Sequence, residues 1–536
     1  MVALAGCHAK STPFHGLKTK SLGARRHAVV GKVPLRLRRC NQQRVTKDSR
    51  VFSVLEVSAP GYDVEEPSQG DIYPHPLNDG NPLRTPQHAV EDPWQDEKWT
   101  SRQWTVFRGK AYDLEPYMKK HPGGSWLINL ALQRDCTALF ESYHLRPDIA
   151  NAVISRLPEI SDFPIAAVPR APYPNDSELY NTIRERARVE LFNGGKNGEH
   201  RTGSEYAAVA VLGFAVLSYA LYFAMPSILT GAVLGLAGAW IGLTIQHCGN
   251  HGAMSTKPWL NGLLGLTMDL IGGSSLMWRY HHQVSHHIHC NDTDMDEDVF
   301  SSFPMLRFDP RLPKYWFHKF QHLYMWLLFP LMQVAFEVGD LKAVFDKRTA
   351  GASLRGATPF EYATVFGGKI VHWGLLLAPL ACGVSAATVA ACCASYIFTQ
   401  GVVLASLFAV SHNLGETKNA EWLETSQLRD DWAVQQILTS ANWGSKIGCF
   451  FTGGLNLQIE HHLFPAISFM HYPQISKIAK EEATKRGIPY AEYKWLPSIL
   501  WQFQCFMAKA GSAPAPPNNA FPPRGGIGLR DGLIGA

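Results

Sequence analysis

Two long stretches without an acidic or basic side chain dominate the pattern of apolar and polar residues along this chain. They run from Tyr206 to Gln246 and from Ile370 to Gly415, which is 41 and 46 residues without Asp, Glu, Lys or Arg. A helix of the first length is about 60 Å long, enough for two crossings of a hydrocarbon core of about 30 Å. Each stretch therefore predicts two transmembrane helices.

Two further apolar stretches, Trp259–Trp278 and Leu323–Val338, are shorter or interrupted by glycine. Apolar segments too short to cross a bilayer can lie in the interface or re-enter the membrane. We therefore expect interfacial helices at these two places, and about four crossings in the whole chain.

The rest of the chain divides by composition. Residues 1–47 are basic and free of acid, which is typical of an organelle transit peptide, with a disordered basic tail as the alternative. Residues 48–95, rich in Pro, Asp, Glu and Gly, predict a linker. A compact mixed segment (96–166) and a polar connecting segment (167–205) precede the first crossings, and the Gly/Pro-rich residues 511–536 predict a disordered tail.

The positive net charge belongs to the N-terminal leader. The chain has a formal charge of +5, but residues 1–47 hold 11 basic residues, and without them 39 basic stand against 45 acidic residues. A nucleic-acid partner is therefore not predicted.

The ten cysteines include no CxxC pair, which argues against a disulfide framework or a zinc ribbon.

The mixed segment contains two histidines in a recognisable context. His121-Pro-Gly-Gly124 follows a tryptophan-containing strand pattern, and Phe140-Glu-Ser-Tyr-His144 comes after it. Over about 70 residues this segment resembles cytochrome b5, an α+β domain. The resemblance implies a haem b held by His121 and His144. Two axial imidazoles leave no open site for O₂, which suits electron transfer.

Three clusters rich in histidine lie at the ends of the apolar stretches. They are His247 and His251; His282, His286 and His287; and Gln458, His461 and His462. Imidazole is the commonest nitrogen ligand of iron, copper and zinc. Histidines four apart on a helix share one face and can bind one ion, whereas adjacent histidines point about 100° apart and can serve two.

One more histidine belongs with these clusters. His412 lies at the end of the predicted fourth crossing, where an ionisable residue is a functional candidate. His281 and His289 are interpreted as outer or surface residues, and His372 as a core or interfacial one. Two crossings precede the first cluster and two more precede the third, so all three clusters are expected on the side of the N-terminal domain.

Together these motifs resemble the histidine-box membrane desaturases over residues 96–495. The N-terminal cytochrome b5 module and the glutamine of the third box are similar to the front-end fatty acyl desaturases. The resemblance implies an all-α multi-pass membrane desaturase domain (206–495) with two non-haem iron ions. The residues that it implies as metal ligands are His247, His251, His282, His286, His287, His412, Gln458, His461 and His462.

The second box leaves one choice open. Three residues separate His282 from the pair His286-His287, where many relatives have two, so either His281 or His282 is the ligand. The acidic run Asp292–Asp298 that follows is interpreted as a solvated loop, with docking of a reductase or support of the box histidines as the alternatives.

The resemblance also implies a reaction and its partners. The enzyme would use O₂ and two electrons to place a cis double bond between the carboxyl end and an existing double bond of a polyunsaturated acyl lipid. A Δ4 position is favoured over Δ5 or Δ6. The electrons would come from a reductase, cytochrome b5 reductase-like or ferredoxin-linked, and the leader favours a chloroplast membrane over the endoplasmic reticulum or the mitochondrion.

Other functions remain open on the same residues. A sphingoid-base desaturase or an acyl hydroxylase could use the same scaffold. A membrane-anchored haem electron carrier with an inert lipid-binding portion is an alternative of a different class. Iron content separates the last alternative, because a carrier needs one iron per chain and a desaturase needs two non-haem ions in addition.

Overall fold

A computed structural model describes residues 96–519, apart from residues 169, 196–197, 293–294, 350–351, 355–356 and 419–430. The predicted transit peptide (1–47) and linker (48–95) lie outside the described residues. The described chain comprises a small α+β domain followed by a large helical domain, which confirms the predicted fold class.

The N-terminal domain is built on a two-stranded antiparallel hairpin. Trp104–Phe107 pairs with Lys110–Asp113, and the connecting residues Arg108 and Gly109 have φ of 47° and 73°. Two left-handed residues form the tight turn that matches the twist of such a hairpin. The helices of this domain are Glu97–Thr100, Glu115–Met118, Ser125–Ile128, Thr137–Tyr143 and Pro147–Ile154.

Four helices of the second domain are long and apolar enough to cross a membrane. They are Glu199–Ala224, Ile228–Asn250, Pro359–Cys382 and Ala386–Ala409, called the first to fourth spans below. Each predicted charge-free stretch thus supplies parts of two spans, and the prediction of four crossings is confirmed. The turn between the first and second spans is fixed by Ser227, which forms a capping box with Thr230.

The second and fourth spans pack backbone against backbone. A Cβ added to Gly231 would lie 2.5 Å from the Cys392 carbonyl oxygen, and one added to Gly235 would lie 2.6 Å from that of Tyr396. Small residues four apart allow this close approach between membrane helices, where van der Waals contact rather than water exclusion holds the helices together.

The two weaker apolar stretches form short or broken helices, as expected of segments that do not span. The first gives Pro258–Gly265, Thr267–Leu270 and Ser275–Trp278, and the second gives Gln321–Leu328, the 3-10 turn Phe329–Leu331 and Met332–Asp346.

The remaining elements surround the ends of the spans. The helices are Glu178–Glu190, Ile245–Asn250, His287–His289, Glu297–Phe300, Trp432–Leu438, Lys446–Thr452, Gln458–Leu463, Tyr472–Lys485 and Leu496–Ser512, together with the π-helix Arg279–His286. Arg348–Thr349 pairs with Ala352–Ser353 antiparallel, and Asn442–Trp443 pairs with Glu492–Tyr493 in parallel. Further 3-10 turns are Asn129–Ala131, Ile165–Ala167, Pro174–Asp176, Glu199–Arg201, Trp316–Phe320, Ala378–Cys382, Phe469–His471 and Pro517–Asn519.

The last helix extends beyond the predicted start of the tail. The helix Leu496–Ser512 contains Gly511, and the buried guanidinium of Arg307 donates to the carbonyl oxygens of Ala510, Ala513 and Pro514. The boundary expected at residue 511 therefore falls inside an ordered helix, because tertiary hydrogen bonds hold a stretch whose composition alone predicts disorder. Residues 520–536 lie outside the described part of the chain.

A buried ion pair joins the third span to the helix Met332–Asp346. Lys369 Nζ lies 2.8 Å from Asp340 Oδ2 and donates to the Gly272 carbonyl oxygen at 3.3 Å. Both side chains are 9% exposed. A cation on a membrane helix is stable only when such partners are at hand, so this pair fixes the interfacial segments against the span.

We expect Lys369→Met to destabilise the protein by about 3 to 5 kcal/mol, because it leaves the Asp340 carboxylate buried without its cation. The double variant Lys369→Met with Asp340→Leu should recover much of that loss. Thermal unfolding in detergent, followed by tryptophan fluorescence, measures both. Lys342→Met is the matched control, since the ion pair of Lys342 with Asp346 is exposed. A loss of stability as large in this control as in Lys369→Met would contradict the account.

Candidate metal centre

The first histidine cluster lies at the C-terminal end of the second span. The helix Ile245–Asn250 starts after a break at Thr244, carries His247 and ends at His251. The four-residue spacing puts both rings on one face, with 4.7 Å between their centroids. This face points into the interior, and both side chains are 1% exposed.

Chain segments far apart in sequence complete a first histidine set, which consists of His247, His251, His282 and His461. One ring nitrogen from each of the four lies within 4.8 Å of the others. His282 comes from the π-helix and His461 from the helix Gln458–Leu463. These segments can meet because the three histidine clusters lie at the same ends of the spans.

A second histidine set, His286, His412 and His462, lies next to the first. Its ring centroids are 4.7 to 4.9 Å apart. Gln458 Nε2 lies 2.9 Å from His412 Nε2. The adjacent residues His461 and His462 thus join different sets, as the helical angle between neighbours predicts.

His287 lies between the two sets. Its ring centroid is 4.6 Å from that of His461 and 4.4 Å from that of His462. All nine residues predicted as ligands, including Gln458, are therefore buried in one place.

The π-helix Arg279–His286 explains the unusual spacing of the second box. Its backbone hydrogen bonds join residues five apart, whereas those of an α-helix join residues four apart. Each turn of the π-helix therefore holds more residues than a turn of an α-helix. His282 thereby reaches the first set although three residues separate it from His286. His281 points elsewhere, with its Nε2 2.5 Å from Asp298 Oδ1, so the structure places His282 rather than His281 among the clustered rings.

Most of these histidines are oriented by an outer partner on Nδ1. The partners are the Tyr143 hydroxyl for His251, Asp296 for His286, the Thr439 carbonyl for His412, the Tyr472 hydroxyl for His461 and the Gln436 side-chain oxygen for His462. Holding Nδ1 in this way leaves Nε2 to face the cluster, the arrangement found around protein-bound metals. Spacing in the sequence gives no sign of these partners, apart from the acidic run that contains Asp296.

The inward-facing nitrogens fit metal ions. The Nε2 atoms of His251 and His462 are buried and have no hydrogen-bond partner among the described residues. The Nε2 atom of His287 lies 3.1 Å from that of His282 and 3.0 Å from that of His461. Buried imidazole nitrogens that converge in this way are the expected ligand set of iron, copper or zinc.

Burial also keeps most of these rings neutral, as metal binding requires. Loss of solvent lowers the pKa of His251, His282, His287, His461 and His462 well below the ordinary value, and nearby histidines lower it further. Neutral imidazoles keep a lone pair available at physiological pH.

The acidic run supports one of the box histidines. His286 Nδ1 lies 3.2 Å from Asp296 Oδ2 and 3.3 Å from Asp298 Oδ2. Burial lowers the pKa of His286, but the two carboxylates outweigh it and the pKa is raised. Asp296 is itself fixed by the Asn291 backbone N–H at 2.7 Å. The run therefore provides the outer support considered above as an alternative to a solvated loop.

Cys290 also lies within reach of the second set. Its Sγ is 3.4 Å from His412 Nδ1, the nitrogen that faces away from the cluster. Burial raises the pKa of the thiol well above its ordinary range. Cys290 therefore packs behind His412 and is not counted among the candidate ligands.

The two histidines of the N-terminal domain form a separate pair. Their ring centroids are 6.4 Å apart, and Nδ1 of His121 and His144 contact the carbonyl oxygens of Gly124 and Phe140 at 3.1 and 2.7 Å. Metal–nitrogen bonds of about 2 Å on either side of an iron fit this separation. Burial lowers the pKa of His144 to about 4, which keeps its ring neutral.

A cavity of about 1030 Å³ opens onto the clustered histidines. Its lining includes His282, His286, His412 and Gln458, and apolar side chains such as Met268, Ile271, Leu404 and Phe408. The charged and exposed residues Lys342, Asp346 and Arg348 also line it. The cavity therefore connects the protein surface with the candidate metal centre along an apolar wall.

Comparison with known families matches both domains. The sequence profile of the family described as "Fatty acid desaturase" matches residues 207–494, and that described as "Cytochrome b5-like Heme/Steroid binding domain" matches residues 93–163.

Three curated relatives are similar over most of their length. A protein of Chlamydomonas reinhardtii named acyl-lipid (7-3)-desaturase, chloroplastic, is 62% identical over 80% of this chain and 84% of its own. An acyl-lipid (8-3)-desaturase of Physcomitrium patens is 30% identical over 76% and 88%. An acyl-lipid (7-3)-desaturase of Rebecca salina is 32% identical over 74% and 88%.

We expect His121→Ala to lose the haem absorption bands and most of the activity, because one axial ligand is missing. Absorption spectra of the purified chain and product formation in a host without its own cytochrome b5 measure the two effects. Lys120→Ala, at the neighbouring exposed position, is the control. Full activity of His121→Ala in that host would contradict the assignment.

We expect Asp296→Asn to weaken metal binding at the histidines by about 10- to 100-fold, as is typical for loss of an outer carboxylate. Titration of the metal-depleted protein with Co²⁺ measures the affinity. Asp292→Asn is the matched control in the same run, since its side chain accepts from the Met295 N–H, which an amide oxygen can also do. Equal affinities of the two variants would argue against the role of Asp296.

Proposed function

The chain belongs to the fatty acid desaturase family and has a fused cytochrome b5 domain, and on this premise we propose that it desaturates a polyunsaturated acyl chain of a membrane glycerolipid. It is a front-end acyl-lipid desaturase, an oxidoreductase. The proposed product carries a new cis double bond between the carboxyl end and an existing double bond.

The proposed metal ligands follow from the two histidine sets. One iron ion would be held by His247, His251, His282 and His461, and the other by His286, His412 and His462. His287 lies beside both sets and Gln458 beside His412, and the two complete the proposed environment. When bound, the two ions would supply the O₂ chemistry that side chains cannot provide, and the haem of the N-terminal domain would supply electrons.

The single observation that carries the proposal is the cavity that joins the surface to both histidine sets. Its apolar wall can bind an acyl chain and exclude water from the clustered rings. Lys342 and Arg348 line the same cavity and can face the polar end of a lipid. The position of the double bond would then depend on how far that polar end lies from the histidines.

The finer assignments are proposals as well. We favour Δ4 over Δ5 or Δ6, because the chain as a whole resembles algal desaturases of that type. A chloroplast membrane is the proposed location, supported by the basic leader and by the name of the Chlamydomonas relative. A reductase, cytochrome b5 reductase-like or ferredoxin-linked, is the proposed electron source.

The alternative of a haem carrier with an inert membrane portion has less support. An inert portion has no need of seven buried histidines whose ring nitrogens converge in its interior. We expect the purified chain to contain two non-haem iron ions besides the haem iron.

The fatty-acid profile of host cells that express the chain tests the proposed function. Mass spectrometry that locates double bonds should find a new one between the carboxyl group and an existing double bond. His461→Ala removes one ring from the first set and should abolish this product while the haem spectrum is unchanged. His471→Ala is the matched control, because His471 packs on Phe192 outside both sets and should keep the product.

Other outcomes are equally informative. A hydroxylated acyl chain would identify a hydroxylase on the same scaffold, and a modified sphingoid base would identify the sphingolipid enzyme. Folded haem protein that gives no product from suitable lipids would favour the electron carrier.

A further inference from the structure

The N-terminal domain packs directly against the histidine-bearing segments. Leu130 and Leu139 of this domain belong to one buried cluster with Met277, Tyr280 and Val284 of the helical domain. Two cation–π contacts border it, with the Arg279 guanidinium 5.4 Å from the Trp126 ring centroid and that of Arg134 5.4 Å from the Tyr280 ring centroid. Apolar packing framed by two such contacts holds the domains in one orientation.

Tyr143 reaches from this interface into the candidate metal centre. It is the last residue of the helix Thr137–Tyr143 and immediately precedes His144. Its hydroxyl oxygen lies 2.6 Å from His251 Nδ1 and 3.1 Å from Gln283 Oε1. One domain thus provides the outer partner of a histidine in the other.

The directions of these hydrogen bonds follow from the donors available. Gln283 Nε2 donates to the Asn250 carbonyl oxygen at 2.8 Å, so Gln283 presents its side-chain oxygen to Tyr143. A tyrosine hydroxyl has one proton, and Tyr143 gives it to Gln283. The same hydroxyl oxygen must then accept from His251, which places the ring proton on Nδ1.

This tautomer leaves the lone pair of His251 on Nε2. That nitrogen is buried, faces the first set and has no partner in the described part of the chain.

We propose that Tyr143 of the N-terminal domain is a positioning residue of the metal centre, which fixes the metal-binding tautomer and orientation of His251. The inference rests on the proposed function, because it takes the first histidine set to bind a metal ion. It also implies that the centre is incomplete when the N-terminal domain is absent or undocked.

Co²⁺ titration of the full-length chain tests this role without any turnover. The protein is purified in detergent with its haem, depleted of non-haem metal by a chelator, and titrated while the visible bands of bound Co²⁺ are followed. Tyr143→Phe keeps the ring and removes the hydroxyl. We expect its Co²⁺ dissociation constant to rise by about 10- to 100-fold, with an unchanged haem spectrum.

Tyr173→Phe is the matched control. The Tyr173 hydroxyl donates to Asp135 Oδ2 of the N-terminal domain at 2.8 Å and not to a candidate metal ligand. It should bind Co²⁺ as the wild type does. A loss as large as that of Tyr143→Phe would overturn the inference, since it would show that any lost hydroxyl in this region weakens the site.

Gln283→Met gives a second test in which Tyr143 is kept. Without its acceptor, the Tyr143 hydroxyl can donate to His251 Nδ1 and favour the wrong tautomer. We expect weaker Co²⁺ binding in the same direction as for Tyr143→Phe.

Two results would count against the inference. Unchanged Co²⁺ affinity in both Tyr143→Phe and Gln283→Met would overturn it while the proposed function stands. If the wild-type protein, with its haem in place, binds no Co²⁺ at all, the proposed function is overturned and this inference with it.

Discussion

Converging imidazole nitrogens impose the constraint on which the rest of this structure depends. Two Nε2 atoms as close as 3.0 Å need a shared proton or a bound cation between them, and only neutral rings leave lone pairs free for a cation. The fold meets the first need by burial and by outer acceptors such as Asp296 and Gln436. It meets the second by ending the second and fourth spans on one side of the membrane, beside a docked N-terminal domain.

Polar groups inside the membrane domain follow a related rule. Lys369 is tolerated in the third span because Asp340 and a carbonyl oxygen surround it. Gln333 similarly connects His372 of the third span with Gln400 of the fourth, at 2.9 and 3.0 Å. Several of these side chains also line the cavity, so the same interactions that hold the spans together shape the space proposed for the acyl chain.

Sequence patterns predicted the parts of this architecture that depend on local periodicity. Charge-free stretches located the four spans, and helical spacing predicted that His247 and His251 share a set. The partners of the Nδ1 atoms could not be predicted from the sequence, because tertiary contacts select them. Nothing near His251 in the sequence indicates Tyr143, which lies over a hundred residues earlier. The boundary at residue 511 failed for the same reason, since composition indicates disorder while contacts with Arg307 order the chain.

The helix Gln458–Leu463 has a consequence for the order of assembly. It adds His461 to one histidine set and His462 to the other, so two neighbouring residues complete both sets in a single step. During synthesis these residues leave the ribosome after every other candidate ligand. On the proposed assignment, neither set can bind its metal ion completely until nearly the whole chain has emerged, which would make metal loading a late event in the maturation of the protein.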